Sequence, residues 1–322
     1  MFTYDGDMDK KIVVSMVKGA LSFAPFTKDI VCRSTGGTSD ARYCLAVWMR
    51  HFAQVRRFGG WRLQGNIAEL GPGDSIGIGL CAMLSGCDNY LALDARAYGS
   101  NASHRALLGE LISYFSGDTP VADANDFPAI WPDPLLNVCP STLLGMRPDN
   151  QTISAVVDAL ERLGRPLAGN VPNRISYVAP WTGTALSNHP SEIGLVFSQA
   201  VLEHVDDLNG TYQSLGAKLK AGALMSHTID FTSHGITTAW HGHWSIDSRS
   251  WRIIRGRRPY LINRMPWSFH KQLLIASGFE ILNEERRLAV PPDIKNISTS
   301  LLPLFTQEDL STAGVYVLAR KR

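Results

Sequence analysis

The residues with chemistry in their spacing begin between Asn66 and Asp94 of this 322-residue chain. An apolar run (Ile67, Ala68, Leu70) meets Gly71-Pro72-Gly73, then small and apolar residues at helical spacing, then a second apolar run that stops at Asp94. That order, strand, glycine turn, helix, strand and acid, is the outline of a nucleotide-cofactor site. Glycine lets a ligand approach bare backbone, and an acid at the tip of the next strand can accept hydrogen bonds from both hydroxyls of a ribose. Such charge-assisted bonds contribute roughly 1.5–3 kcal/mol each. A dinucleotide fingerprint would need its third glycine where Ile76 stands, Gly77 falls one place late, and Glu69 would repel a pyrophosphate. The plainer alternative is that the glycines only make a tight strand-to-helix turn.

A second group lies at Gly194 to His204, GLVFSQAVLEH. Leu195, Val196 and Phe197 predict a buried central strand, which puts Ser198, Gln199 and Ala200 at its carboxyl end, where open α/β sheets place ligands. Histidines follow as candidate bases, because an imidazole titrates near neutral pH. His204, His227 and His234 compete for that role, with Asp230 beside the last two. On a strand, His227 and Asp230 turn to opposite faces, so they share a pocket only if the strand has ended. His241, His243 and Asp247 offer an H-x-H pattern without an element to fix it, and no metal is expected.

Glu69, Gly71 and Gly73, together with Val201-Leu202-Glu203-His204-Val205-Asp206-Asp207, resemble the first and fourth motifs of the class I S-adenosylmethionine-dependent methyltransferases. The resemblance spans roughly residues 62–94 and 174–322. It departs from the family at Ser75, where many members carry a third glycine, and after the third strand, where Pro180 and Trp181 stand instead of an acid for the adenine amine. It implies a Rossmann-like α/β fold with a seven-stranded mixed sheet, order 3-2-1-4-5-7-6, and helices on both faces. It implies S-adenosyl-L-methionine held by Glu69, Gly71, Pro72, Gly73, Asp94, Ala95, Ser198, Gln199 and Ala200, with catalysis from among His204, His227, Asp230 and His234.

The elements that must position these residues follow from periodicity. A helix capped by Ser39 carries Leu45, Met49, Phe52 and Val55 on one face and ends at Gly59 and Gly60. Others are expected from Lys10 to Phe23, from Ser103, through Ile153 to Leu163, from Asp207 to Leu219 and from Trp267 to Ser277. Strands are expected at Arg174 to Ala179, Phe279 to Asn283 and Gly314 to Ala319, besides the fifth, which carries His227 and Asp230. Residues 1–60 read as an N-terminal helical cap on a methyltransferase domain of 61–322. Insertions at about 97–170 and 232–264 would form its acceptor side. The second insertion sets Trp240, His241 and Trp244 among arginines that include Arg257 and Arg258. This pattern suits an anionic or glycosylated acceptor, although an amphipathic helix with solvated or paired arginines has the same composition.

The net charge of +2 argues against a general nucleic-acid or membrane surface, and the five cysteines form no C-x-x-C. No stretch reaches the ~18 apolar residues of a membrane span, so a cytoplasmic location is expected, with a homodimer possible. The expected function is methyl transfer, to an oxygen of a small-molecule, carbohydrate or nucleotide-sugar acceptor. Alternatives are an N- or C-methyltransferase of a natural product, or a methyltransferase-like binding protein.

Overall fold

A computed structural model describes residues 9–24, 37–60, 65–96, 104–123, 125–127, 131, 138–165, 172–181, 192–258 and 260–322. Seven strands form one sheet: β1 (Asn66–Leu70), β2 (Asn89–Leu93), β3 (Ile175–Val178), β4 (Ile193–Gln199), β5 (Leu224–Asp230), β6 (Phe279–Leu288) and β7 (Thr312–Lys321). Their order is 3-2-1-4-5-7-6, as expected from the sequence. The first five strands pair in parallel, and β7 runs antiparallel between β5 and β6. The chain leaves β1 toward β2 and later returns to β4 on the other side. The sheet therefore has its topological switch point between β1 and β4, which is where open α/β sheets hold ligands.

Nine described helices complete the chain: α1 (Lys10–Leu21), α2 (Ala41–Gln54), α3 (Gly77–Leu84), α4 (His104–Ser116), α5 (Pro140–Leu144), α6 (Asn150–Glu161), α7 (Leu208–Lys218), α8 (Ser248–Arg255) and α9 (Trp267–Ala276). Strand alternation sends Ile67, Leu195 and Phe197 into one core with α2, α3, α4 and α6. Ala68 and Val196 enter the other core, with Leu208, Tyr212 and Leu215 of α7 and Leu274 of α9. The strand rich in charge, β6, occupies a sheet edge, where charges discourage pairing with another chain.

Three local expectations change. The cap of α2 is Asp40, whose carboxylate accepts from Arg42 N and Tyr43 N, and not Ser39. The N-terminal segment does not act as one cap: α2 is packed into the sheet's core, whereas α1 lies on α8. Their crossing is close, since a Cβ at Gly19 would collide with the Ile253 carbonyl oxygen. The two long C-terminal strands also begin or end well outside the spans expected for them. Cys32, Arg62, Ser103, Pro128, Pro132 and Pro134 lie outside the described residues.

Candidate functional site

At the carboxyl edge, Gly71 and Gly73 adopt φ of 64° and 76°, a left-handed region that favours glycine. Gly71 N–H donates to the Leu93 carbonyl at 2.8 Å, fixing the turn to β2. A Cβ at Gly71 would come 2.7 Å from Val201 Cγ2, so the loops after β1 and β4 touch. Ser75, where the family pattern has glycine, is buried and holds the loop. Its N–H donates to Thr38 Oγ1 at 3.0 Å, its hydroxyl donates to the Thr38 carbonyl, and Gly77 N–H donates to its oxygen.

Asp94 lies at the tip of β2, where its carboxylate accepts from Ala95 N at 2.6 Å and lies 3.2 Å from the Tyr177 hydroxyl. Burial raises its pKa, and the N–H groups of Arg96, Ala95 and Gly73 oppose that rise. Trp181 N–H donates to the Asp94 carbonyl, and the buried Nε1 of Trp181 has no hydrogen-bond partner among the described residues.

Glu69 corrects one expectation. Its side chain is buried behind the glycine loop, where it accepts the Tyr90 hydroxyl at 2.5 Å. Burial pushes its pKa up to about 8, so near neutral pH it is largely protonated. Repulsion of a pyrophosphate by Glu69 therefore lapses, and Ile76 alone argues against the dinucleotide fingerprint.

At the tip of β4, Ser198 is fully buried and bonded to His227 Nδ1 at 2.7 Å. Its hydroxyl does not reach the glycine loop, and His227 does not join the other candidate bases. Burial lowers the His227 pKa to about 3, which fits a neutral core histidine. Gln199 remains half-buried, and Ala200 turns with φ of 53°.

That turn brings Glu203, His204, Asp230 and His234 together. His204 Nδ1–H donates to the Tyr260 carbonyl at 2.8 Å, leaving Nε2 with its lone pair. Burial lowers its pKa to about 4, helped by neighbouring His234, whose ring stands edge-on at 4.9 Å. His234 Nε2 lies 3.8 Å from Asp230 Oδ2 and 4.0 Å from Glu203 Oε1. Asp230 Oδ1 is held by Thr232 N and by Arg287 at 3.0 Å. Asn263 fixes the turn itself, donating to the carbonyls of Glu203, Leu202 and Val205. A cleft of about 520 Å³ opens beside it, with Asp206, Asp207, Arg255, Asn263 and Met265 in its wall.

The aromatic and arginine residues of 232–264 do not gather at an acceptor. Trp244 is buried against Phe305 and Trp240, and Trp240 Nε1 donates to the Val290 carbonyl. The His241 ring packs on Trp240 at 5.3 Å. Arg258 donates to the carbonyls of Ser15 and Ile254, and the Arg257 guanidinium sits over Phe23 at 5.3 Å. These side chains fasten α1 to the insertion.

Thr38, Tyr90, Tyr177, Tyr260 and Asn263 support the site without standing in either sequence motif. Tyr90 and Tyr177 become visible only once β2 and β3 are paired with their neighbours. Tyr260 links the two halves, its hydroxyl donating to the Ala95 carbonyl at 3.3 Å while its own carbonyl holds His204.

No protein-family model matches the chain, and no curated protein matches it. Solved structures similar in chain course include a SAM-dependent methyltransferase from Methanosarcina mazei, 13% identical, TM-score 0.44, over 83% of this chain and 96% of that one. A second is phosphoethanolamine N-methyltransferase 2 from Haemonchus contortus in complex with S-adenosyl-L-methionine, 15% identical, TM-score 0.40, over 85% of this chain and 52% of that one. A third is an S-adenosylmethionine-dependent methyltransferase from Mesorhizobium loti, 16% identical, TM-score 0.36, over 83% of this chain and 96% of that one.

Proposed function

We propose that the chain is an S-adenosylmethionine-dependent methyltransferase acting at an oxygen of a small hydroxylated acceptor, carbohydrates and nucleotide sugars included. The observation that carries this is the junction at the switch point. The Gly71–Gly73 loop, the Asp94 carboxylate and the Val201–His204 turn meet at the carboxyl edge of a 3-2-1-4-5-7-6 sheet.

The residues present fit the donor. Without a Cβ at Gly71 the loop after β1 packs directly on Val201, and its backbone stays bare toward the carboxyl edge. Asp94 has the charge and position to accept from ribose hydroxyls. The unpartnered Trp181 Nε1 beside it is suited to a nitrogen or oxygen acceptor of a bound base. Bound there, S-adenosylmethionine supplies a methyl carbon whose bond to sulfur breaks, with its electron pair, as an acceptor lone pair attacks.

The protein's own task is alignment and proton removal. Alignment contributes up to ~7–11 kcal/mol in favourable cases. His204 and His234 carry pKa values lowered by burial and are neutral near pH 7. Their lone pairs are therefore free to accept a proton or to coordinate. The cleft lined by Asn263 and Met265 lies beside the turn that Asn263 fixes and has room for a small acceptor. Arg257 and Arg258 lend no support to a specifically anionic acceptor, because they engage α1 and the residues just after it, and Arg255 in the cleft wall is paired with Asp206.

Isothermal calorimetry with S-adenosylmethionine and with S-adenosylhomocysteine tests the proposal. One site per chain for each ligand is expected, and binding of neither by the folded chain would overturn it.

A further inference from the structure

The Glu203 carboxylate is 3% exposed, and neither of its oxygens meets a donor in hydrogen-bonding geometry among the described residues. An unpaired buried carboxylate is costly, and such a group either stays protonated or pairs with a cation. Burial and the Asp230 charge push its pKa well up; the backbone N–H groups of Glu203 and Asp230 and the Arg287 guanidinium, itself bonded to Asp230, only oppose that rise. Two imidazoles also face Glu203. One donor atom from each of Glu203, His204 and His234 lies within 4.8 Å of the others. Asp230 Oδ2 lies outside this trio but 3.8 Å from His234 Nε2, as a second carboxylate beside it.

We propose that Glu203, His204 and His234 bind one divalent transition-metal ion, with Asp230 beside His234, and that an acceptor oxygen takes the fourth coordination position. Spacing in the chain carries no such expectation, because His234 is thirty residues from His204 and nothing joins them. A donor set of two imidazoles and one carboxylate suits Zn²⁺, Mn²⁺, Fe²⁺ or Co²⁺ better than the all-oxygen preference of Mg²⁺ or Ca²⁺.

Geometry is near what coordination needs. An ion at about 2.0–2.2 Å from each ligand spaces tetrahedral neighbours roughly 3.3–3.6 Å apart. The contraction required from the present arrangement is within the reach of side-chain rotation, and His234 is the most exposed of the three ligands.

A supporting shell is already in place. His204 donates its Nδ1–H to the Tyr260 carbonyl, the arrangement that fixes a metal-ligating imidazole and leaves Nε2 to the ion. Asp230 Oδ1 is fixed by Arg287 and Thr232 N, which leaves Oδ2 free to turn toward the cluster. Asn263 immobilises the backbone that carries Glu203. With an ion bound, the histidine lone pairs are occupied, so the ion rather than an imidazole would make the acceptor hydroxyl more acidic. That last consequence rests on the methyl-transfer proposal; the ion site does not.

The full-length chain, stripped with EDTA and dialysed, is titrated separately with Zn²⁺, Co²⁺, Mn²⁺ and Mg²⁺ by calorimetry, and the visible spectrum of the Co²⁺ form is recorded. One equivalent of a transition-metal ion, with a Co²⁺ spectrum of mixed nitrogen and oxygen ligation, is expected. His234→Ala should weaken binding at least ~100-fold, since loss of supporting partners alone costs 10–100-fold. Glu203→Gln should do the same, and His234→Ala, on a surface loop, covers the case in which the buried variant does not fold. Arg257→Ala should bind as the parent does.

No stoichiometric ion, or equal affinity in His234→Ala, overturns the proposal. S-adenosylmethionine titrated into the same preparations separates the two ideas. Donor binding without an ion removes only the metal site, whereas an ion without donor binding removes only the methyl-transfer proposal.

Discussion

Gly71 and Val201 touch across the gap between β1 and β4, close enough that a Cβ on the glycine would sit 2.7 Å from Val201 Cγ2. One residue belongs to the glycine turn after β1, the other to the turn that carries Glu203 and His204. Gly71→Ala should therefore destabilise the fold by about 1–3 kcal/mol, from the positive φ and from overpacking. Val201→Ala in the same chain should recover the overpacking part and leave the backbone part. Urea denaturation of the two single variants and the double variant checks this; simple additivity would mean that the contact carries no coupling.

Asp94→Asn keeps the shape and removes the charge. S-adenosylmethionine affinity should fall by roughly 10–100-fold, the equivalent of one charge-assisted bond at about 1.5–3 kcal/mol. Calorimetry at constant pH measures it, and an unchanged affinity would take Asp94 out of the donor site.

Glu69 predicts a pH dependence of stability. Its folded pKa, pushed up to about 8 mainly by burial, lies above its ordinary value of 4.5. Between those values the folded state binds more protons than the unfolded one, so stability falls as pH rises through that window. Below it, Glu69 makes no difference to the balance. Glu69→Gln removes the titration, and the slope of unfolding free energy against pH between about 4.5 and 8 should flatten. An equal slope in parent and variant would mean that Glu69 stays charged in the fold.

Arg258→Ala should release α1 without altering acceptor binding. Its guanidinium joins the Ser15 carbonyl in α1 to the Ile254 carbonyl in α8. Limited proteolysis should cut residues 9–24 several-fold faster in the variant, while the acceptor KM stays the same. A selective rise in KM with α1 still protected would restore Arg258 to the acceptor site.

The order of the sheet was legible only through the family resemblance that two motifs carry; the short apolar runs placed the parallel strands along the chain. The left-handed turn at Gly71 and Gly73 and the place of Asp94 just past β2 were legible because each is local to a few residues of backbone. Ser75 read as a missing glycine because its role lies in Thr38, which the chain passes long before the loop. The arginines near 257 read as an acceptor surface because composition cannot say which side of a helix a neighbour covers. Here that neighbour is α1, from the other end of the chain. His227 and Ser198 show the same limit from inside, since two buried polar residues that the sequence suggested for a site bond to each other across the β4–β5 ladder.

The close crossing of Gly19 on α8 also has a bearing on how the protein is made. During synthesis α1 leaves the ribosome well before α8, since the carbonyl of Ile253 against which it packs follows more than two hundred residues later. At ordinary elongation rates that is a wait of roughly tens of seconds. Through that interval Val13, Val14, Val17 and Leu21, still exposed in the finished fold, belong to a nascent helix whose inner face is bare as well. The emerging chain thus carries an apolar helix whose covering partner does not exist until α8 has been made.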